Sequence, residues 1–137
     1  MKAGIITGLF FSLFFSSYAQ FPPPAGETGT TAIAKDSSVF AAWATGCSIT
    51  RGLMDISTPD SGYASAGDSS LATGEGNGIV SLGDGGTAIL TFANAIQNGQ
   101  GWDFAVFENS FSNDFLELAF VEVSSDGINY FRFPATS

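Results

Sequence analysis

Glycine punctuates this chain so often that short strands joined by turns are the natural reading and long helices have little room. Of the 137 residues 17 are glycine, the residue that reaches backbone conformations closed to the others and weakens helix and strand interiors. Between Asp55 and Gly78 the glycines stand among serines, at Gly62, Gly67, Gly74, Gly76 and Gly78, and this stretch reads as a long surface loop. No helix of length shows the apolar spacing of one buried face.

Period-two patterning supplies the strands. Thr87 to Phe92 sets Ala88, Leu90 and Phe92 on one face and Thr87, Ile89 and Thr91 on the other, a half-buried strand. Asp103 to Glu108 is apolar on both faces and reads as a central strand. Val121 and Val123 oppose Phe120 and Glu122, and Ser125-Asp126-Gly127 turns the chain tightly into Asn129 to Phe133. Ile49 to Leu53 adds a further strand, and Asp36 or Ser37 is placed to cap a short helix through Phe40 and Trp43 that ends at Gly46. The expected fold is all-β, an antiparallel β-sandwich of jelly-roll type. With about five or six strands against the seven or eight of such a fold, the sandwich is expected to be incomplete at the C-terminal end, its partner strands lying beyond Ser137. Part of the phenylalanine-rich face would then lie uncovered.

Residues 1–19 read as a secretory address. Lys2 is the short positive region, Ile5 to Phe15 the apolar run, and Ser16-Ser17-Tyr18-Ala19 the small residues of a cleavage site. The apolar run is well short of the roughly 20 residues that span a bilayer, and no cysteine near the site provides for a lipid anchor. Cleavage after Ala19 removes Lys2 and no acid, which takes the formal net charge from −9 to −10. Residues 20–36, with Pro22-Pro23-Pro24, read as an extended arm, and 37–137 as the sandwich domain. The expected location is the cell exterior or surface. Cys47 is the single cysteine, and its setting in Trp43-Ala-Thr-Gly-Cys-Ser reads as a small buried hydrophobe, with a disulfide partner beyond Ser137 or on another chain as the alternative.

The same counts limit the chemistry. With 4 basic residues against 13 acids the chain is a poor match for phosphate backbones, so nucleic acid is not an expected partner. It contains no histidine, which removes Ser-His-Asp and Cys-His relays, histidine metal ligands and imidazole acid–base steps. Gly83-Asp84-Gly85-Gly86 precedes a strand rather than a helix, so it reads as a turn and not as a phosphate loop.

Carboxylates and aromatics remain. Glu108, Asn109, Asp114 and Glu117 cluster about the loop Asn109-Ser-Phe-Ser-Asn-Asp-Phe115 and offer the hard oxygens that calcium takes, making them a candidate calcium site, although no EF-hand order is present. Two carboxylates would also suffice for glycoside hydrolysis, with Glu108 and Glu117 the pair to test. Trp43, Trp102, Phe111 and Phe115 lie beside loops, where a ring can stack on a sugar while Asn109 and Asn113 bond its hydroxyls. Trp102, Phe111, Asn109 and Asn113 are the expected ligand-binding residues.

Three runs carry a resemblance. Val80-Ser-Leu-Gly-Asp-Gly-Gly-Thr-Ala-Ile-Leu-Thr-Phe92, Asn98-Gly-Gln-Gly-Trp-Asp-Phe-Ala-Val-Phe-Glu-Asn109 and Glu117-Leu-Ala-Phe-Val-Glu-Val-Ser-Ser-Asp-Gly127 resemble a family of exported bacterial cell-surface proteins, which often carry a C-terminal sorting domain. The likeness runs from Ala32 to Pro134, and the Val-Ser-Ser-Asp-Gly element also resembles a hairpin of discoidin-like and carbohydrate-binding jelly rolls. The resemblance implies a β-sandwich with binding or adhesive duties and carries over no catalytic residues. The functional expectation is a secreted, non-catalytic surface protein that binds carbohydrate or another surface component. A structural segment of a larger adhesin is the alternative, and a carboxylate-based glycan hydrolase the third.

Overall fold

A computed structural model describes residues 23–76, 78–109 and 115–135. Among the described residues four strands form two separate antiparallel ladders. Strand β1 (Gly46–Thr50) pairs with β2 (Thr87–Thr91), and β3 (Glu122–Val123) pairs with β4 (Phe131–Arg132). Among the described residues no sheet closes or curls, so the expected β-sandwich, or jelly roll, is corrected to a loop-rich fold with two short ladders. Period-two alternation shows that a segment can pair and bury one face; it does not supply the partner. Asp103 to Glu108, expected as a central strand, has no ladder partner among the described residues, and Phe104, Val106 and Phe107 are exposed along it.

The β1–β2 ladder sets Cys47 opposite Leu90, Ser48 opposite Ile89 and Ile49 opposite Ala88. Cys47, Ile49 and Ala88 are half-buried on the face that alternation assigned to Ala88, while Ile89 and Leu90 are 47% and 43% exposed. The ladder's order continues past β1 as single bonds. The Gly52 N–H donates to Leu82 O at 2.8 Å, and Leu53 exchanges bonds with Asp84, the Leu53 N–H to Asp84 O at 3.2 Å and the Asp84 N–H to Leu53 O at 2.7 Å. On its other side the same segment meets the loop: the Met54 N–H donates to Gly62 O and the Ala64 N–H to Gly52 O, both at 2.9 Å. Leu53 is thus bridged to both Tyr63 and Asp84.

Backbones this close leave no space for side chains. A Cβ on Gly52 would overlap the Asp84 carbonyl and the Gly86 amide, so only glycine fits there. The Gly86 N–H closes a turn on Gly83 O at 3.0 Å, with Gly85 at φ +76° in its third position, the conformation a type II turn reserves for glycine. The turn reading of Gly83 to Gly86 therefore stands. Ala44 and Ala64 are the buried apolar side chains among the described residues.

Arg51, just past β1, binds the surrounding loops. Its guanidinium donates to Ala66 O at 3.0 Å and to the carbonyls of Gly67 and Ser81. The Ser81 N–H donates to Ala66 O at 3.0 Å, and the Ser81 hydroxyl accepts from the Ala66 N–H at 3.0 Å. The expected long loop Asp55 to Gly78 contains two 3₁₀ turns, Pro59–Ser61 and Ser69–Ala72, the second beside β1. The expected helix through Phe40 is replaced by two successive turns, the Ser37 N–H to Ala34 O at 3.0 Å and the Phe40 N–H to Ser37 O at 3.4 Å. Two isolated bonds do not overcome the nucleation cost that a helix must meet.

The C-terminal ladder is short and local. Glu122 opposes Arg132 and Val123 opposes Phe131, and the Phe133 N–H donates to Val121 O at 3.0 Å. Arg132 Nε meets Glu122 Oε1 at 2.7 Å while its guanidinium lies 4.3 Å from the centre of the Phe120 ring. The expected turn sits at Asp126-Gly127, with β3 and β4 inside the segments expected to be strands.

Arg51→Met keeps the aliphatic stem and removes the donors. It is expected to lower the unfolding free energy in urea by about 2 kcal/mol, and Gly52→Ala by a similar amount through overlap. A change below about 0.5 kcal/mol for both would contradict the account of this crossing.

Candidate functional site

A cavity of about 360 Å³ opens beside the segment that leads into β1. Phe40 and Trp43 give it an aromatic wall, and Lys35, Asp36, Ser37, Ser38 and Glu75 a polar rim. Its position follows from the bonds around β1. The Thr45 N–H extends the ladder to Thr91 O at 2.8 Å, and the Gly74 N–H donates to Ala44 O at 3.0 Å, which seats Glu75 opposite the Trp43 segment. The Lys35 ammonium then reaches Gly76 O at 3.2 Å and ties the two sides of the rim together.

The rings are held as a cluster. Phe40 and Trp43 centroids lie 5.3 Å apart, and the Phe107 ring lies 5.4 Å from Phe40 and 5.8 Å from Trp43. Each such pair adds roughly 0.5–1.5 kcal/mol to its area burial. The arrangement joins the unpaired 103–108 segment to Phe40 and Trp43, which are half-buried and line the cavity.

The expected ligand-binding residues are distributed differently. Trp102 is 73% exposed and Asn109 is exposed, and neither lines this cavity. Phe111, Asn113 and Asp114 lie outside the described residues. Of the expected calcium ligands, Glu108 and Glu117 are brought together by a single bond, Glu108 Oε1 accepting from the Glu117 N–H at 2.8 Å. Among the described residues no group of three or more acid, cysteine or histidine side chains is placed to share a metal ion. Asp103 makes a local turn, its Oδ1 accepting from the Gly99 N–H at 2.7 Å.

Several carboxylates organise loops. Asp126 is held well below the usual carboxylate range by the Asn129 backbone N–H, then by the Asn129 amide, the Ile128 N–H and the Ser124 hydroxyl. The Ile128 and Asn129 N–H groups both approach Asp126 Oδ1 at 2.8 Å. Asp55 and Asp68 are lowered in the same way, by the hydroxyl and backbone N–H of Ser57 and of Ser70 respectively. Cys47 is a free, half-buried thiol whose pKa is pushed up by burial, with Arg51 opposing as the smaller effect. It remains protonated and weakly nucleophilic at neutral pH, and it is half-buried where a buried thiol was expected.

Sequence reasoning singled out Trp43 as a ring beside a loop but missed Lys35, Asp36 and Glu75. Glu75 sits in a glycine-serine stretch that carries no periodicity, and its approach to Trp43 depends on a backbone bond no local pattern announces. The available signal was Lys35 itself, a rare cation in a chain with 4 basic residues. Comparison with protein-family models, with curated proteins and with solved structures found no match.

Because the folded pKa of Asp126 lies below its unfolded value, its contribution to the β3–β4 turn is present above the ordinary carboxylate range and is lost as pH falls through the depressed value. The Asp126 carboxyl should titrate by NMR with a midpoint well below about 3.9, and Asp126→Ala should abolish the shifted Ile128 and Asn129 amide resonances at every pH. A midpoint at or above about 3.9 would contradict this capping role.

Proposed function

We propose that this chain is an exported, non-catalytic protein that binds carbohydrate, or a surface component of the same chemistry, in the cavity beside Trp43. The observation that carries the reading is the pairing of an aromatic wall, Phe40 and Trp43, with a rim of two hydroxyls, two carboxylates and one ammonium around about 360 Å³. Sugars present an apolar C–H face and a rim of hydroxyls. A ring surface meets the first, and short polar side chains meet the second. The volume falls at the lower end of the range for small-molecule sites, suited to one or two sugar rings.

Binding of this kind requires complementary surface and fixed hydrogen-bonding groups, and no residue is assigned a catalytic part. The secretory pattern of residues 1–19 and the likeness of the three runs between Val80 and Gly127 to exported bacterial surface proteins support export. Among the described residues no helix is long and apolar enough to cross a membrane.

Titration of the full chain with a panel of neutral oligosaccharides, followed by tryptophan fluorescence and calorimetry, tests the proposal. At least one sugar class should bind, Trp43→Ala should weaken it about tenfold or more, and Trp102→Ala should leave it within about twofold. The unfolding midpoint of each variant serves as a check on folding. Silence across the panel would favour the structural adhesin segment, and loss on Trp102→Ala alone would move the site away from this cavity.

A further inference from the structure

The cavity's charges and rings select among sugars, and we infer that its preferred ligand is cationic, an amino sugar with a free ammonium group. This inference rests on the carbohydrate reading of the same cavity. Two carboxylates, Asp36 and Glu75, stand on the rim with one cation, Lys35. The Lys35 ammonium is directed to the Gly76 carbonyl at 3.2 Å, so one of its donors is already turned to the protein. The other cations among the described residues are engaged elsewhere. Arg51 is surrounded by the carbonyls of Ala66, Gly67 and Ser81, and Arg132 is paired with Glu122. The rim therefore carries a net negative charge on a chain whose formal net charge is −9.

The aromatic wall adds to this bias. The face of an indole or phenyl ring carries the negative lobe of its quadrupole, and Trp is the strongest of the aromatic side chains in attracting a cation. An ammonium in the cavity is thus drawn by two carboxylates and by the aromatic lining of Trp43 and Phe40, with the hydroxyls of Ser37 and Ser38 on the same rim for its sugar ring. A uronate or a phosphosugar meets repulsion from the same groups. An N-acetylated sugar keeps the stacking and loses the charge.

The test compares three oligosaccharide probes of matched length on the full chain: glucosamine oligomers, N-acetylglucosamine oligomers and galacturonate oligomers. At about pH 5.5 the glucosamine amine is charged and the galacturonate probe is anionic. The glucosamine oligomer should bind about tenfold more tightly than its acetylated counterpart, and the galacturonate oligomer more weakly than either. Asp36→Asn with Glu75→Gln should reduce that preference to about twofold or less, and added salt should erode it. The acetylated oligomer should bind that double variant within about twofold of the parent, which a folding defect would not allow. Equal binding of the charged and acetylated probes, or a preference for galacturonate, would overturn the charge inference and leave the carbohydrate reading standing. Failure of all three probes and of the neutral panel would overturn that reading and this inference with it.

Discussion

The grip of Arg51 on three backbone carbonyls is the interaction on which the larger ladder and its loops depend. The carbonyls of Ala66, Gly67 and Ser81 come from two loops distant in sequence from Arg51 and from each other. A planar guanidinium can donate to several oxygens at once from a fixed fork, which an ammonium cannot reproduce. With these loops held, the chain beyond β1 threads between Tyr63 and Asp84, and Leu53 is bridged on both sides, by its own bonds to Asp84 and by those of Gly52 and Met54 on the Tyr63 side, although it belongs to no regular strand. Gly52 follows as a necessity of that spacing, because its neighbours' backbones occupy the space of a side chain. A chain with Ala44 and Ala64 as its buried apolar side chains among the described residues relies here on backbone pairing more than on side-chain burial.

The cavity inherits its order from this crossing. β1 fixes Ala44, Ala44 receives the Gly74 N–H, and Glu75 and Gly76 are thereby held across from Lys35 and Trp43. The 103–133 region is organised otherwise. Asp126 caps its own turn, Arg132 spans Glu122 and the Phe120 ring, and the Phe104 ring meets Phe133 at 5.4 Å. These bonds are short in sequence range or lie at the surface. Phe120, Ile128 and Phe131 remain 66%, 81% and 72% exposed. Among the described residues Phe107 joins this region to the site, through an edge-on contact with Phe40 and a tilted one with Trp43.

Local chemistry was legible in the sequence where a few neighbouring residues determine it. The alternation of Thr87 to Phe92 marked β2, the Ser-Asp-Gly run marked the turn before β4, and Gly83-Asp84-Gly85-Gly86 marked a turn rather than a phosphate loop. Architecture was not legible. Asp103 to Glu108 has the composition of a central strand, yet pairing depends on a partner that composition does not contain, and the described segment runs unpaired. The site was half legible: Trp43 could be singled out as a ring near a loop, whereas Glu75 reaches it through a bond between residues thirty positions apart. Arg51 carried no sequence signal, since its partners are carbonyls that every residue possesses.

Native-state amide hydrogen exchange tests the central claim most directly, because it ranks backbone bonds by the free energy needed to open them. The amides of Gly52, Leu53, Ala64, Ser81 and Asp84, all donors in the crossing held by Arg51, are expected to be among the slowest in the chain. Those of Phe104 to Phe107 are expected to exchange about a hundredfold faster or more. Uniformly fast exchange, or slowest exchange in the 104–107 segment, would contradict the account.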